Sequence, residues 1–155
     1  MKSLLTTLAL STAIILPGSA MAKSVTLTTE MKSYRGPGAY LALYITDAKG
    51  IYQGSLWMAG GKSKYYKHLR GWFRATGGDT AQVSGITGPS VGAGRKLELT
   101  FDLSDALFDA GYKLHIDTSV EDGRDVANDV VIPLTSANIG KAVKGKRYIK
   151  SFTFR

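Results

Sequence analysis

The chain contains no cysteine. That excludes a disulfide framework, thiolate metal sites and cysteine nucleophiles, so stability has to come from core packing. Histidine is almost as scarce, with His68 and His115 the two present. They form no HExxH or other paired spacing, so no zinc signature exists, and no elbow motif marks a nucleophilic serine. Glu121, Asp122, Asp125 and Asp129 gather around a turn, but without the alternating D-x-D-x-D-G order of a calcium loop. These gaps point to a protein that is not an enzyme, with no catalytic residue, metal ligand or cofactor assigned.

Long apolar runs are lacking too, since crossing a bilayer takes roughly 20 residues. The short apolar stretch Leu4 to Leu16 follows Lys2 and is broken by Pro17-Gly18, ahead of a small-x-small site at Ala20-Met21-Ala22. This is the pattern of a secretory signal peptide, residues 1–22, cut before Lys23. The remaining Lys23 to Arg155 is one domain's worth of chain, large enough for a single core. The expected location is the periplasm, with no membrane span after cleavage.

Carboxylates are missing from whole regions. Lys23 to Lys96 is basic, opposed only by Glu30, Asp47 and Asp79, and Val130 to Arg155 has no acid at all. Leu97 to Asp129 reverses sign, with nine carboxylates against Lys113 and Arg124. Such segregation either builds a surface dipole or is cancelled by opposite charges on neighbouring strands.

What is present is mostly short alternating segments. Val25, Leu27, Thr29 and Met31 share one face of a strand over Ser24 to Met31. Ala39 to Thr46 is apolar on both faces, Asp47-Ala48-Lys49-Gly50 is a type I turn, and Ile51 to Ala59 returns as the hairpin partner. Further strands are expected over Ala81 to Ile86, Lys96 to Leu103, Tyr112 to Glu121, Val126 to Pro133 and Arg147 to Arg155. Ser104 caps one helical turn between two of them. In Tyr112 to Glu121, Leu114, Ile116 and Thr118 face one way, while His115, Asp117 and Ser119 share a polar, solvated face. Seven or eight strands punctuated by turns predict an all-β fold, an immunoglobulin or fibronectin III-like sandwich.

One stretch breaks the period. Lys64 to Arg74 fits a short amphipathic α-helix with Ser63 as its N-cap. Trp72, Tyr65, Leu69, Phe73 and Tyr66 fall within an arc of about 120°, a width typical of a buried helical stripe. These aromatics are expected to close one end of the sandwich core. Lys64, Lys67, His68, Arg70 and Arg74 lie on the opposite side, where they are candidate contacts to an acidic envelope protein or to anionic lipid headgroups. Nucleic acid is not expected, because aromatics and cations segregate instead of interleaving on one surface. Tyr65, Tyr66 and His68 also raise iron or haem binding, since phenolate and imidazole ligate iron. On an α-helix, however, His68 points away from both tyrosines, so a shared site requires that helix to be absent.

Several blocks carry a family resemblance. Arg35-Gly36-Pro37, AYLALYITDAKGIYQGSLWM at Ala39 to Met58, YYKHLRGWF at Tyr65 to Phe73, ITGPS at Ile86 to Ser90 and YKLHIDTSVEDGRD at Tyr112 to Asp125 occur in order. Together they resemble the predicted periplasmic domain-of-unknown-function family 2271. Members are similar to the immunoglobulin-like domain of the flagellar hook-capping protein, which implies a β-sandwich. The resemblance supplies no catalytic residues, and the hook-capping N-terminal region has no counterpart here. The expected role is a binding or accessory module, with iron or haem handling as the alternative.

Overall fold

A computed structural model describes residues 21–155. The signal-peptide expectation therefore falls almost wholly outside the described residues. Eight strands follow in order: β1 Ala22–Met31, β2 Tyr40–Thr46, β3 Tyr52–Ala59, β4 Thr87–Gly88, β5 Lys96–Ser104, β6 Lys113–Ser119, β7 Asp125–Pro133 and β8 Ile149–Phe154. They form a three-stranded sheet, β5-β1-β8, and a five-stranded sheet, β4-β3-β2-β6-β7. Every pairing is antiparallel except that of β3 with the two-residue β4.

The alternation read in the sequence builds the core. Val25, Leu27 and Met31 of β1 are buried with Phe101, Leu103, Phe152 and Phe154. Leu41, Leu43, Ile45, Leu114, Ile116 and Ile132 of the larger sheet belong to the same core. The molecule is an all-β sandwich.

The turn after β2 forms as expected. The Gly50 N–H donates to the Asp47 carbonyl at 2.9 Å, and Asp47 Oδ1 accepts from the Lys49 and Ile51 N–H groups. Ser104 does cap a helical turn, its Oγ accepting from the Ala106 N–H at 3.3 Å. The strand expected over Ala81 to Ile86 is instead a 3-10 helix, Thr80–Val83. Asp79 decides it: its Oδ1 accepts from the Ala81 N–H at 3.0 Å, which starts a turn where a strand needs extended backbone.

The expected helix over Lys64 to Arg74 is two pieces. A 3-10 helix spans Ser63–His68, Leu69 breaks the path, and α1 spans Arg70–Thr76. Ser63 is not the cap, because Lys62 precedes the 3-10 helix without a side-chain bond. α1 is held at its start by a strand residue, described below. Its end is local: Gly77 takes φ 63°, and the Gly78 N–H donates to the Phe73 carbonyl at 2.9 Å.

Candidate functional site: a roofed sheet face and its groove

The site begins with register. Tyr40, Ala42 and Tyr44 of β2 lie opposite Ser119, Asp117 and His115 of β6, so these side chains share the outer face of the five-stranded sheet. That face is not solvated, because the helical insertion covers it. Tyr66, Leu69 and Trp72 are buried, whereas Phe73 remains 38 % exposed. The aromatics thus roof an outer sheet face and do not close an end of the core. The wheel fails at Phe73 because the backbone changes helix type at Leu69.

Trp72 anchors the roof. Its Nε1 donates to Ser55 Oγ at 2.9 Å, and Ser55 is also 2.6 Å from Tyr52 Oη. Its indole meets the Tyr66 ring edge-on at 5.8 Å, while Tyr66 Oη donates to the Gly60 carbonyl at 2.8 Å. Below lies Asp117, fully buried. Its Oδ2 accepts from the Trp72 N–H at 2.6 Å, and its Oδ1 from the Asn128 N–H at 2.8 Å and more weakly from Tyr44 Oη at 3.4 Å. A strand carboxylate thereby satisfies an orphan donor at the start of α1. Burial pushes the Asp117 carboxyl above its usual range, against the opposing hydrogen bonds from Asn128, Trp72, Tyr44 and Gly71. Burial, with the nearby Asp117 charge, also pushes the Tyr44 phenol up.

Gly71 permits this approach. A Cβ there would stand 2.6 Å from Tyr44 Oη and 2.8 Å from Asp117 Oδ2. Gly71→Ala is therefore expected to destabilise the protein by about 2 kcal/mol, as overpacking does, although alanine is the better helix former. A denaturation midpoint that rises would contradict this.

His115 is likewise no solvated histidine. Its Nε2 lies 2.7 Å from Thr46 Oγ1, its Nδ1 lies 2.8 Å from Asn128 Oδ1, and its ring stacks on Tyr44 at 4.9 Å. Both nitrogens are occupied in holding the sheet face together.

The second element of the site is Asp125, at the start of β7. Its Oδ2 receives His68 Nδ1 at 3.0 Å and Arg70 Nε at 3.2 Å, and its Oδ1 accepts from Ser119 Oγ at 2.8 Å. Burial raises this carboxyl, but the bonds from His68 and Ser119, the His68 charge and the Arg70 bond together bring it below its ordinary value. Beside this clasp a groove of about 500 Å³ opens between the insertion and the turn after β6. Tyr40, Tyr65, His68, Lys62, Glu121 and Asp122 line it. Tyr65 and His68 share the groove because residues three apart eclipse in a 3-10 helix. The expected separation of His68 from both tyrosines therefore fails for Tyr65 and holds for Tyr66, which is buried and bonded to Gly60.

The five basic candidates divide accordingly. His68 and Arg70 turn to Asp125, while Lys64, Lys67 and Arg74 make no salt bridge among the described residues. Lys64 lies over the Tyr65 ring at 5.0 Å. The acidic turn is dispersed as well: Asp129 is buried and accepts from Thr118 Oγ1 and from the Arg147 and Tyr148 N–H groups. Among the described residues no three His, Cys, Asp or Glu side chains come together as they would around a metal ion.

Sequence reasoning placed Asp117 on the right face but missed its role, since no local pattern links it to a helix 45 residues away. Asp125 was visible only as part of an acidic turn. Among the described residues no helix is long and apolar enough to cross a membrane.

No curated protein and no solved structure matches the chain. A family model described as "Predicted periplasmic protein (DUF2271)" matches residues 22–151, which takes in the whole roofed face and groove. The chain belongs to this family of predicted periplasmic proteins.

Proposed function

We propose that the protein is a non-enzymatic binding module of the periplasm that docks an acidic partner of the cell envelope through its helical insertion. One observation carries this reading. Lys64, Lys67 and Arg74 are exposed along one short segment, and no salt bridge among the described residues neutralises them. No acidic residue stands in the first turn of either helical piece. Lys64 and Lys67 are one 3-10 turn apart, and Arg70 and Arg74 are one α turn apart, so the cations follow a ridge. The segment beneath is pinned by Trp72 and Asp117, so little ordering entropy is spent when a partner arrives. His68 and Arg70 contribute through the clasp with Asp125, which holds the ridge in place.

The non-enzymatic reading is supported by the histidines. His115 is committed at both nitrogens, and Asp125, the partner of His68, is itself bonded by Arg70 and Ser119. Thr46 Oγ1 does stand against His115 Nε2, but Thr46 is buried, where a substrate does not reach it.

Reversing Lys64, Lys67 and Arg74 to glutamate tests the docking. Capture of envelope proteins by the purified protein is expected to fall at least tenfold, with capture by the wild type weakening as salt is raised. Unchanged capture by the triple variant would count against the proposal. Sedimentation with anionic vesicles separates a lipid surface from a protein partner, because only lipid docking survives removal of all envelope proteins.

A further inference from the structure

The groove beside the basic ridge is a concavity of the size that cofactors occupy, and its chemistry is not that of the ridge. We propose that it binds a haem-type metalloporphyrin, with Nε2 of His68 as the axial ligand to iron.

The imidazole is arranged as a ligand. Nδ1 faces the Asp125 carboxylate at 3.0 Å. An ionised carboxylate only accepts, so Nδ1 carries a hydrogen, and in the neutral imidazole the lone pair is then at Nε2. Nε2 has no hydrogen bond to the protein among the described residues. Backing of this kind fixes the ring, sets the tautomer and raises the basicity of the ligating nitrogen. Asp125 is itself fixed from two other directions, by Ser119 Oγ at 2.8 Å and by Arg70 Nε at 3.2 Å.

The walls suit a flat aromatic ligand. Tyr40 and Tyr65 meet edge to face at 5.7 Å and line the same groove as His68, together with Pro37 and Val120. Such rings offer faces and edges against which a macrocycle can stack. Lys62 lies on the groove wall, where its ammonium can pair with a propionate. Glu121 and Asp122 also line the groove and disfavour a propionate placed beside them.

The ligand count decides between a porphyrin and a bare ion. A bare transition-metal ion needs about three or four side-chain donors, and no such grouping exists among the described residues. A porphyrin brings four nitrogens of its own and asks the protein for one axial donor. The groove supplies one.

The test is titration of the purified full-length protein with hemin, followed by absorbance. A saturable, one-to-one shift of the Soret band is expected. His68→Ala should abolish the axial-ligand spectrum, and free imidazole should restore it in that variant. Asp125→Asn should weaken binding about 10–100-fold, as loss of such a backing group does. Thermal melts of both variants report whether the fold survives. An unaltered hemin spectrum in His68→Ala, or no saturable shift in the wild type, would overturn the assignment. If His68→Ala unfolds, protection of His68 by hemin against diethyl pyrocarbonate in the wild type decides instead, and unprotected modification refutes the site. Reversing Lys67 and Arg74 alone leaves both the axial donor and the groove lining in place, so docking and hemin binding are read separately.

Discussion

Trp72→Ala is expected to lower the stability of the protein by about 4 kcal/mol, the range found when a buried aromatic is truncated. The side chain is fully buried although it lies outside the space between the two sheets. Its removal leaves a cavity beneath the 3-10 helix and takes away the Tyr66 edge contact. It also strips Ser55 Oγ of the indole donor, which leaves Tyr52 Oη as its partner. For a domain of this size the melting temperature should fall by about 10–15 °C, and partner capture should fall with it. A surface aromatic would cost within about 0.5 kcal/mol, so a small change would show that the insertion does not pack as described.

The second large effect is expected at Asp117. Asp117→Ala leaves the Trp72 and Asn128 N–H groups without acceptors in a buried setting. Unsatisfied donors cost about 1–3 kcal/mol each, so an overall loss of about 3 kcal/mol is expected from denaturant unfolding. The pH dependence has a defined sign. Burial holds this carboxyl above its usual value, so the folded protein binds the proton more tightly than the unfolded chain does. That contribution is fully present below the ordinary carboxylate value and is lost as pH rises through the raised one. Asp117→Asn carries no charge at any pH, so its deficit relative to wild type should shrink across that window. A constant deficit would show that the carboxyl is not raised.

The sandwich itself was legible because period-two alternation and turn chemistry are local. Leu27, Phe101 and Leu114 announce their inward faces through their neighbours, and Asp47 and Gly50 announce their turn. The roof was only half legible. Tyr66, Leu69 and Trp72 were recognised as one buried stripe, but the switch from 3-10 to α geometry at Leu69 depends on Asp117 and Asp125, which lie on other strands. That switch exposes Phe73 and brings Tyr65 and His68 to the same groove. The polar face of β6 was misread for the same reason. Alternation shows that His115, Asp117 and Ser119 share a side, but not that another segment covers it.

The charge pattern shows a similar limit. The basic and acidic regions are plain in the sequence, yet their pairing depends on tertiary placement. Asp125 takes up Arg70 and His68, Glu30 takes Lys150 at 3.5 Å, and Asp117 and Asp129 turn inward to backbone donors. Of the nine carboxylates in the acid-rich segment, Asp117, Asp125 and Asp129 are committed in this way, while Glu98, Asp102, Asp105, Asp109, Glu121 and Asp122 stay exposed. None of the salt bridges among the described residues involves Lys64, Lys67 or Arg74 of the insertion.

Both functional readings require the insertion to sit rigidly on the outer sheet face, and amide hydrogen exchange at Trp72 tests that most directly. Its N–H donates to buried Asp117 Oδ2, so exchange should be as slow as that of the β2 and β6 core amides and should need near-global unfolding. Exchange of the Trp72 amide at the rate of an exposed loop, with the core amides still protected, would contradict the account.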